Sequence, residues 1–131
     1  MKYSLSIISI FILSCSNQRS DALSSSDSLA IHFKSPQSGT LLKTVNTKDE
    51  KAIRKLAGFI ENDESKQYQC PQEGVLLFYT KGILVGDVSF NYSQKDCRHF
   101  LQVDGELPKP TKMSDEAADF LKGLAEGKSW Y

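Results

Sequence analysis

Residues 75–92, VLLFYTKGILVGDVSFNY, decide the fold class. Residues 75–79 form an apolar run of strand length, and Lys81-Gly82 supplies a turn into a second strand over residues 83–92. In this second strand apolar and polar residues alternate, so that one side meets the core and the other meets water. The stretch therefore predicts an antiparallel hairpin. The side assigned to the core carries Leu84, Val88, Phe90 and Tyr92.

Two neighbouring segments show the same period of two. After a polar turn at residues 93–96, residues 97–103 resume as a third strand and complete a three-stranded meander. Upstream, a strand carries Leu29, Ile31 and Phe33 at alternating positions, and residues 40–45 return after a Ser-Pro-Gln-Ser-Gly turn. The sequence therefore predicts an antiparallel sheet of three to five strands.

A helix is predicted directly after the first two strands. Thr47 and Glu50 have the spacing of a capping box, in which both side chains satisfy free N–H groups at a helix start. The residues that follow place apolar side chains on one stripe of a helix. This stripe consists of Ile53, Leu56, Ala57 and Ile60.

A second helix is predicted near the C-terminal end. Pro108 and Pro110 break regular structure before it, Ser114 is a suitable N-cap, and Gly127 suits its end. Its buried stripe consists of Ala117, Phe120, Leu121, Leu124 and Ala125.

The order of these elements favours a single α+β domain over residues 29–131. Because strands and helices do not alternate as strand-helix-strand units, we expect an antiparallel sheet with both helices on one face. The other face, or an edge, is then available to a partner. The sequence contains no glycine-rich phosphate loop, no zinc-knuckle spacing and no internal repeat.

The first fifteen residues have the features of an export signal. The apolar run of residues 5–13 is about half as long as the roughly 20 residues of a membrane-spanning helix. Ile12-Leu13-Ser14-Cys15 resembles the lipobox of bacterial lipoprotein signal peptides. The resemblance implies removal of residues 1–14, acylation of the Cys15 thiol with palmitate or a similar chain, and a stable membrane anchor. An ordinary secretory signal and a buried N-terminal helix are the alternatives.

The segment after the lipobox predicts a tether. Residues 16–28 contain six serines and few large apolar groups, so we assign residues 15–28 to the lipidated cysteine and a flexible linker. In some of the lipoproteins that this leader resembles, an acidic residue after the cysteine retains the protein at the inner membrane. Ser16 occupies this position here and is not acidic. The resemblance therefore implies the outer membrane of a bacterial envelope, with the domain facing the periplasm or the cell surface.

The number of cysteines and the charge balance bear on the state of the cysteines and on the class of ligand. With Cys15 acylated, Cys70 and Cys97 remain, and an oxidising envelope favours a disulfide between them. Two unpaired buried cysteines, or a metal or redox pair, are the alternatives. The chain has 16 Lys and Arg residues and 16 Asp and Glu residues, so no net positive charge attracts nucleic acid.

Few residues suggest catalysis. Asp96-Cys97-Arg98-His99 is the densest group, but a metal or nucleophile site needs further convergent ligands, and a disulfide-bonded cysteine can neither coordinate nor attack. His32 is isolated and is expected to face solvent. Asp49-Glu50, Asp63-Glu64 and Asp115-Glu116 all fall at predicted helix ends. Capping and solvation explain the first and third pairs, and a charged loop explains the second. We expect the aromatic pair Trp130-Tyr131 to dock on the core, with a contact surface as the alternative.

The sequence thus predicts a non-catalytic, lipid-anchored envelope protein without cofactor or metal. It would act through contact with another protein, as an inhibitor, an immunity-type protein or an accessory subunit. The alternative is a small envelope hydrolase or metal-dependent enzyme with a site built from His32, His99 and carboxylates.

Overall fold

The fold is given by a computed structural model, which describes residues 22–66, 69–104 and 107–130. One antiparallel sheet has six strands in the order β2-β1-β3-β4-β5-β6. Within the described ranges, no helix has the length and apolar character needed to cross a membrane. The strands are β1 (Ser28–Lys34), β2 (Leu41–Thr47), β3 (Gly74–Thr80), β4 (Ile83–Asn91), β5 (His99–Asp104) and β6 (Leu107–Lys112); the helices are α1 (Glu50–Ile60), a 3₁₀ helix (Lys95–Cys97) and α2 (Asp115–Ala125).

The predicted α+β class and the antiparallel sheet are confirmed, but the sheet has one strand more than the predicted maximum of five. The additional strand is β6, which contains Pro108 and Pro110, the residues expected to break regular structure. Pro110 O accepts a bond from Ser65 N on the outer side of β6. The N and C=O groups of one strand residue point to the same side, so the proline nitrogen also faces outward, away from β5. The absence of its N–H therefore removes no hydrogen bond between β5 and β6.

A β-bulge corrects the predicted side of Leu84. The β3–β4 register shifts between Phe78 and Tyr79, so Leu84 pairs with Tyr79 and Val85 is the extra residue. Leu84 therefore leaves the core side and is 48% exposed. Val88 and Phe90 lie beyond the bulge and are buried, as their alternation predicts.

The core lies between the sheet and both helices. Side chains of β1, β3, β4 and β5 meet the apolar stripes of α1 and α2 in one buried cluster. In α1 the predicted stripe is buried, whereas in α2 Phe120 and Ala125 are only partly buried and Ala118 and Gly123 are buried in their place. The backbone of Gly127 (φ 89°) ends α2 with a Schellman motif, in which Lys128 N bonds Gly123 O and Gly127 N bonds Leu124 O.

The N-cap of α1 differs from the predicted capping box. Asp49 is the N-cap residue, and its Oδ1 accepts from Lys51 N at 2.8 Å and Ala52 N at 3.0 Å. Thr47 instead ends β2, and its Oγ1 accepts from Asp49 N at 3.1 Å. The helix therefore begins two residues later than the Thr47 cap implied.

The ordered domain begins before Leu29. Residues 22–24 are helical, and Leu23 is 2% exposed within the core. Asp27 Oδ2 accepts from Lys81 N at 2.8 Å, in a turn where Lys81 and Gly82 both have positive φ. Residues 22–28 thus pack on the β3–β4 hairpin, which corrects the C-terminal part of the predicted tether; Cys15 lies outside the described residues.

Candidate functional site

Cys70 and Cys97 form the predicted disulfide, with a Cα–Cα distance of 6.0 Å. The bond joins the segment before β3 to the 3₁₀ helix before β5. Because both sulfurs are bonded, neither is available as a metal ligand or a nucleophile. The alternatives of two free cysteines or a metal pair are therefore excluded in this structure.

The group Asp96-Cys97-Arg98-His99 has a structural role. His99 is 1% exposed, and its Nδ1 lies 2.6 Å from Cys97 O. Arg98 Nε donates to Tyr92 O at 2.9 Å, and its Nη1 lies 2.9 Å from Asp115 Oδ1. Arg98 thus ties the loop after β4 to the first turn of α2.

The two histidines are not brought together. His32 is partly exposed on β1, whereas His99 is on β5, with β3 and β4 between them. Three inter-strand spacings of about 4.8 Å separate them even before their offset along the strands. Among the residues that the structure describes, no three His, Cys, Asp or Glu side chains are grouped so as to hold a metal ion.

The acidic pairs and the aromatic tail also have structural contacts. Asp49 caps α1, Asp115 contacts Arg98, and Glu64 forms a bridge with Thr111 beside β6. Trp130 packs against Phe120 with ring centroids 6.1 Å apart, which is the expected docking on the domain; Tyr131 lies outside the described residues.

A groove of about 320 Å³ lies between α2 and the loop after β4. The buried Glu73 carboxylate holds two residues that line the groove, since it accepts from Tyr92 N at 2.9 Å, Ser93 N at 2.8 Å and Ser93 Oγ at 2.5 Å. Burial raises the pKa of the Tyr92 phenol, and the charges of Glu73 and Glu126 raise it further. The groove is lined by two basic and two acidic side chains, which are Arg98, Lys122, Asp119 and Glu126.

A second candidate surface is the sheet face opposite both helices, which we call the open face. Directly opposed residues in antiparallel strands share a face. The registers Ala30↔Leu77↔Asp87 and His32↔Val75↔Ser89 therefore place these side chains together, and Tyr79↔Leu84 adds a third row. The core side of the same strands is filled by Ile31, Leu76 and Val88, which α1 and α2 cover.

The open face has an apolar centre. Val75, Leu77 and Tyr79 form a column along β3, and each is partly exposed. Beside this column on β4, Leu84 lies opposite Tyr79, Asp87 opposite Leu77 and Ser89 opposite Val75. A sheet face in contact with water alone would carry polar residues at these positions. This apolar column is therefore the feature that needs a functional explanation.

The sequence contained a signal for this column. Residues 75–79 are apolar without alternation, which is typical of a strand whose two faces are both removed from water. By itself that run indicates only a strand, and the alternation of residues 83–92 predicts that Leu84 faces the core. The β-bulge that turns Leu84 to the open face cannot be recognised from the alternation of apolar and polar residues in the sequence.

The far end of the open face is closed. Asn91 and His99 are a directly opposed pair on this side, yet both are buried. Asn91 Nδ2 donates to Pro71 O at 2.8 Å, in the segment that Cys70 ties to Cys97. The segment that the disulfide holds therefore closes the open face at its Asn91 and His99 end.

No protein-family description matches this chain, and no curated protein or solved structure shows significant similarity to it.

Proposed function

We propose that this is a non-catalytic, lipid-anchored protein of the bacterial envelope that binds another protein through its open face. The observation that carries the proposal is the apolar column Val75, Leu77 and Tyr79, on the side of the sheet away from both helices. As an inhibitor, an immunity-type protein or an accessory subunit, the domain would need such a surface and no catalytic group.

The chemistry of the open face suits a protein partner. Aromatic and aliphatic side chains at the centre of a patch, with polar residues around them, are the pattern of protein interfaces. Tyr79 offers a large ring beside Leu77, while Ser89, Asp87 and His32 supply polar groups at the sides. Charges of both signs are few here, which does not favour a polyanionic ligand.

Membrane attachment through Cys15 is the second part of the proposal. The lipobox-like residues 12–15 support it, as does the Cys70–Cys97 disulfide, because disulfides persist in oxidising compartments outside the cytoplasm. The placement in the outer membrane, facing the periplasm or cell surface, rests on Ser16 following Cys15.

Leu84 and Ile83 allow a matched test of the binding face. Both are exposed apolar residues of β4, but Leu84 pairs with Tyr79 on the open face, whereas Ile83 pairs with Thr80 on the opposite side. Membranes containing the tagged full chain are solubilised, and co-purifying proteins are quantified. We expect one stoichiometric partner with the unmodified chain and with Ile83→Lys, and loss of that partner with Leu84→Lys. Equal recovery with both variants, or no partner with any chain, would contradict binding through the open face.

The anchor is tested separately by labelling cells with radioactive palmitate. We expect the label in the unmodified chain and its absence in Cys15→Ser, which should also remain uncleaved. Separation of membranes by density then shows whether the labelled chain is in the outer membrane. Incorporation of the label into Cys15→Ser would refute acylation at this position.

A further inference from the structure

The open face continues beneath a short segment of the chain. Asn91 lies two residues beyond Ser89 on β4 and opposite His99 on β5, so it adds one further row to this face. Ser89 is partly exposed, whereas Asn91 is 0% and His99 1% exposed. Residues 70–72 lie against the buried row, where Pro71 O accepts from Asn91 Nδ2 at 2.8 Å. The accessible part of the open face is therefore smaller than the face that the strands form.

The covering segment, residues 70–72, has few attachments of its own. Among the described residues, no backbone hydrogen bond holds it, and backbone pairing begins with Glu73, whose N donates to Phe90 O at 2.8 Å. Besides the bond to Asn91, the segment is tied across the sheet by the Cys70–Cys97 disulfide. A segment with so few hydrogen bonds opens locally at a low cost in free energy once its covalent tie is broken.

The polar groups beneath the covering segment also favour its opening. Asn91 Oδ1 and Gln72 Oε1 are buried, and neither accepts a hydrogen bond from the described residues. Buried acceptors that a protein leaves without a donor favour an arrangement that exposes them to bulk water. The disulfide is therefore the main restraint that keeps the segment closed.

The disulfide lies at the surface of the domain. Cys70 and Cys97 are both partly exposed, and their neighbours Pro71 and Asp96 are exposed. Exposed disulfides are the ones that thiol–disulfide exchange reaches most readily. A reductant can therefore reach this bond without unfolding the domain.

We propose that the Cys70–Cys97 disulfide is a redox-controlled clasp, and that its reduction by a dithiol opens residues 70–72 and extends the open face to Asn91 and His99. The opened row adds an amide and an imidazole to the rim of the apolar column. The clasp regulates the extent of the open face, so its biological consequence rests on the proposed function. The opening itself requires no partner, and its failure leaves the Leu84→Lys test unaffected.

The reduction is a two-step exchange. One thiolate of the dithiol attacks the sulfur of one cysteine, and the other cysteine leaves as a thiolate. The second thiolate of the dithiol then attacks the reductant's own sulfur in the mixed disulfide and releases the first cysteine. The dithiol loses two electrons and two protons and becomes a disulfide, while Cys70 and Cys97 gain them and end as thiols.

Modification of the histidines by diethyl pyrocarbonate measures the opening. The oxidised full chain, purified in detergent, is compared with a variant that combines Cys70→Ala and Cys97→Ala, and the modified peptides are quantified by mass spectrometry. His32 is the internal control, because it is partly exposed on the same face. We expect equal rates at His32, and a rate at His99 that is about tenfold higher or more in the variant. A disulfide with a purely structural role would leave His99 protected in the folded variant.

Reduction of the unmodified chain tests the redox step. The full chain is treated with dithiothreitol without denaturant, free thiols are trapped with N-ethylmaleimide, and peptide masses show which cysteines are labelled. Amide hydrogen exchange of β3 reports whether the sheet stays folded. We expect both Cys70 and Cys97 to be labelled while the amides of β3 remain protected.

Three results would overturn the proposal. The first is a disulfide that dithiothreitol does not reduce without denaturant. The second is a rate at His99 that stays unchanged when the bond is absent. The third is loss of protection in β3, in the reduced chain or in the alanine variant, because His99 would then be exposed by unfolding of the whole domain.

Discussion

Leu23 packs directly on the backbone of Gly86, so closely that a Cβ added to Gly86 would lie 2.4 Å from Leu23 Cδ2. This contact joins residues before β1 to the middle of β4. It predicts that Gly86→Ala lowers the free energy of unfolding by about 1–3 kcal/mol, since the methyl group must displace Leu23 from a filled core. Urea denaturation of the two proteins measures this difference.

A double-mutant cycle with Leu23→Ala isolates the contact. Leu23→Ala alone should cost about 2–5 kcal/mol through its cavity, but it also removes the atom that the new methyl group meets. In the Leu23→Ala background, Gly86→Ala should therefore be nearly neutral, with a coupling energy of at least about 1 kcal/mol. Strictly additive effects would show that Leu23 does not pack on Gly86 in solution.

The Cys70–Cys97 disulfide closes a loop with a sequence separation of 27. On the chain-entropy view, a loop of this length stabilises the fold by about 3.5 kcal/mol. Replacing both cysteines by alanine should lower the free energy of unfolding by about that amount. The same loss should follow reduction of the unmodified chain. The alanine variant is the control, because a reductant should leave its urea midpoint unchanged; a shift there would indicate that the reductant acts elsewhere.

The central strands and the helices follow from periodicity in the sequence. Ile31 and Phe33 on β1, and Val88 and Phe90 on β4, alternate with less apolar residues, and the structure buries them. The predicted apolar stripe of α1 is confirmed for the same reason, because an element with one buried face has a regular pattern of apolar residues. The disulfide was predicted from the number of cysteines and from the expected oxidising compartment.

The remaining elements depend on tertiary context that a pattern does not contain. Pro108 and Pro110 are compatible with β6 only because this strand lies at an edge and their N atoms face outward. Leu23 stands alone among small polar residues, so no periodicity marks it as a core residue. The apolar column through Leu77 was visible as a continuous run, but which of its residues face away from α1 and α2 requires the register.

The start of α1 gives a prediction that separates the capping box from the observed cap. Asp49 accepts two N–H groups of the first helical turn, whereas Thr47 Oγ1 binds only Asp49 N on the exposed approach to the helix. Asp49→Ala should therefore cost about 1 kcal/mol in the free energy of unfolding, and Thr47→Ala less than about 0.5 kcal/mol. A larger loss of stability for Thr47→Ala than for Asp49→Ala in urea denaturation would show that Thr47 is the N-cap.

Tyr92 predicts how stability depends on alkaline pH. Burial, followed by the charges of Glu73 and Glu126, raises the pKa of its phenol above the usual value of about 10. In that pH range the folded chain keeps the phenol proton while the unfolded chain releases it, so the free energy of unfolding must fall as the pH rises above about 10. Removing the hydroxyl group removes this contribution.

Tyr92→Phe should accordingly lose less stability than the unmodified chain when the urea midpoint is measured from pH 8.5 to pH 11. The difference between the phenolate absorbance titrations of the two proteins gives the titration of Tyr92 itself. Because Glu126 lies on the far side of the groove and supplies part of the shift, Glu126→Gln should move that titration back toward lower pH. If the titration of Tyr92 fell at or below the ordinary tyrosine pKa, burial of this side chain against Glu73 would be wrong.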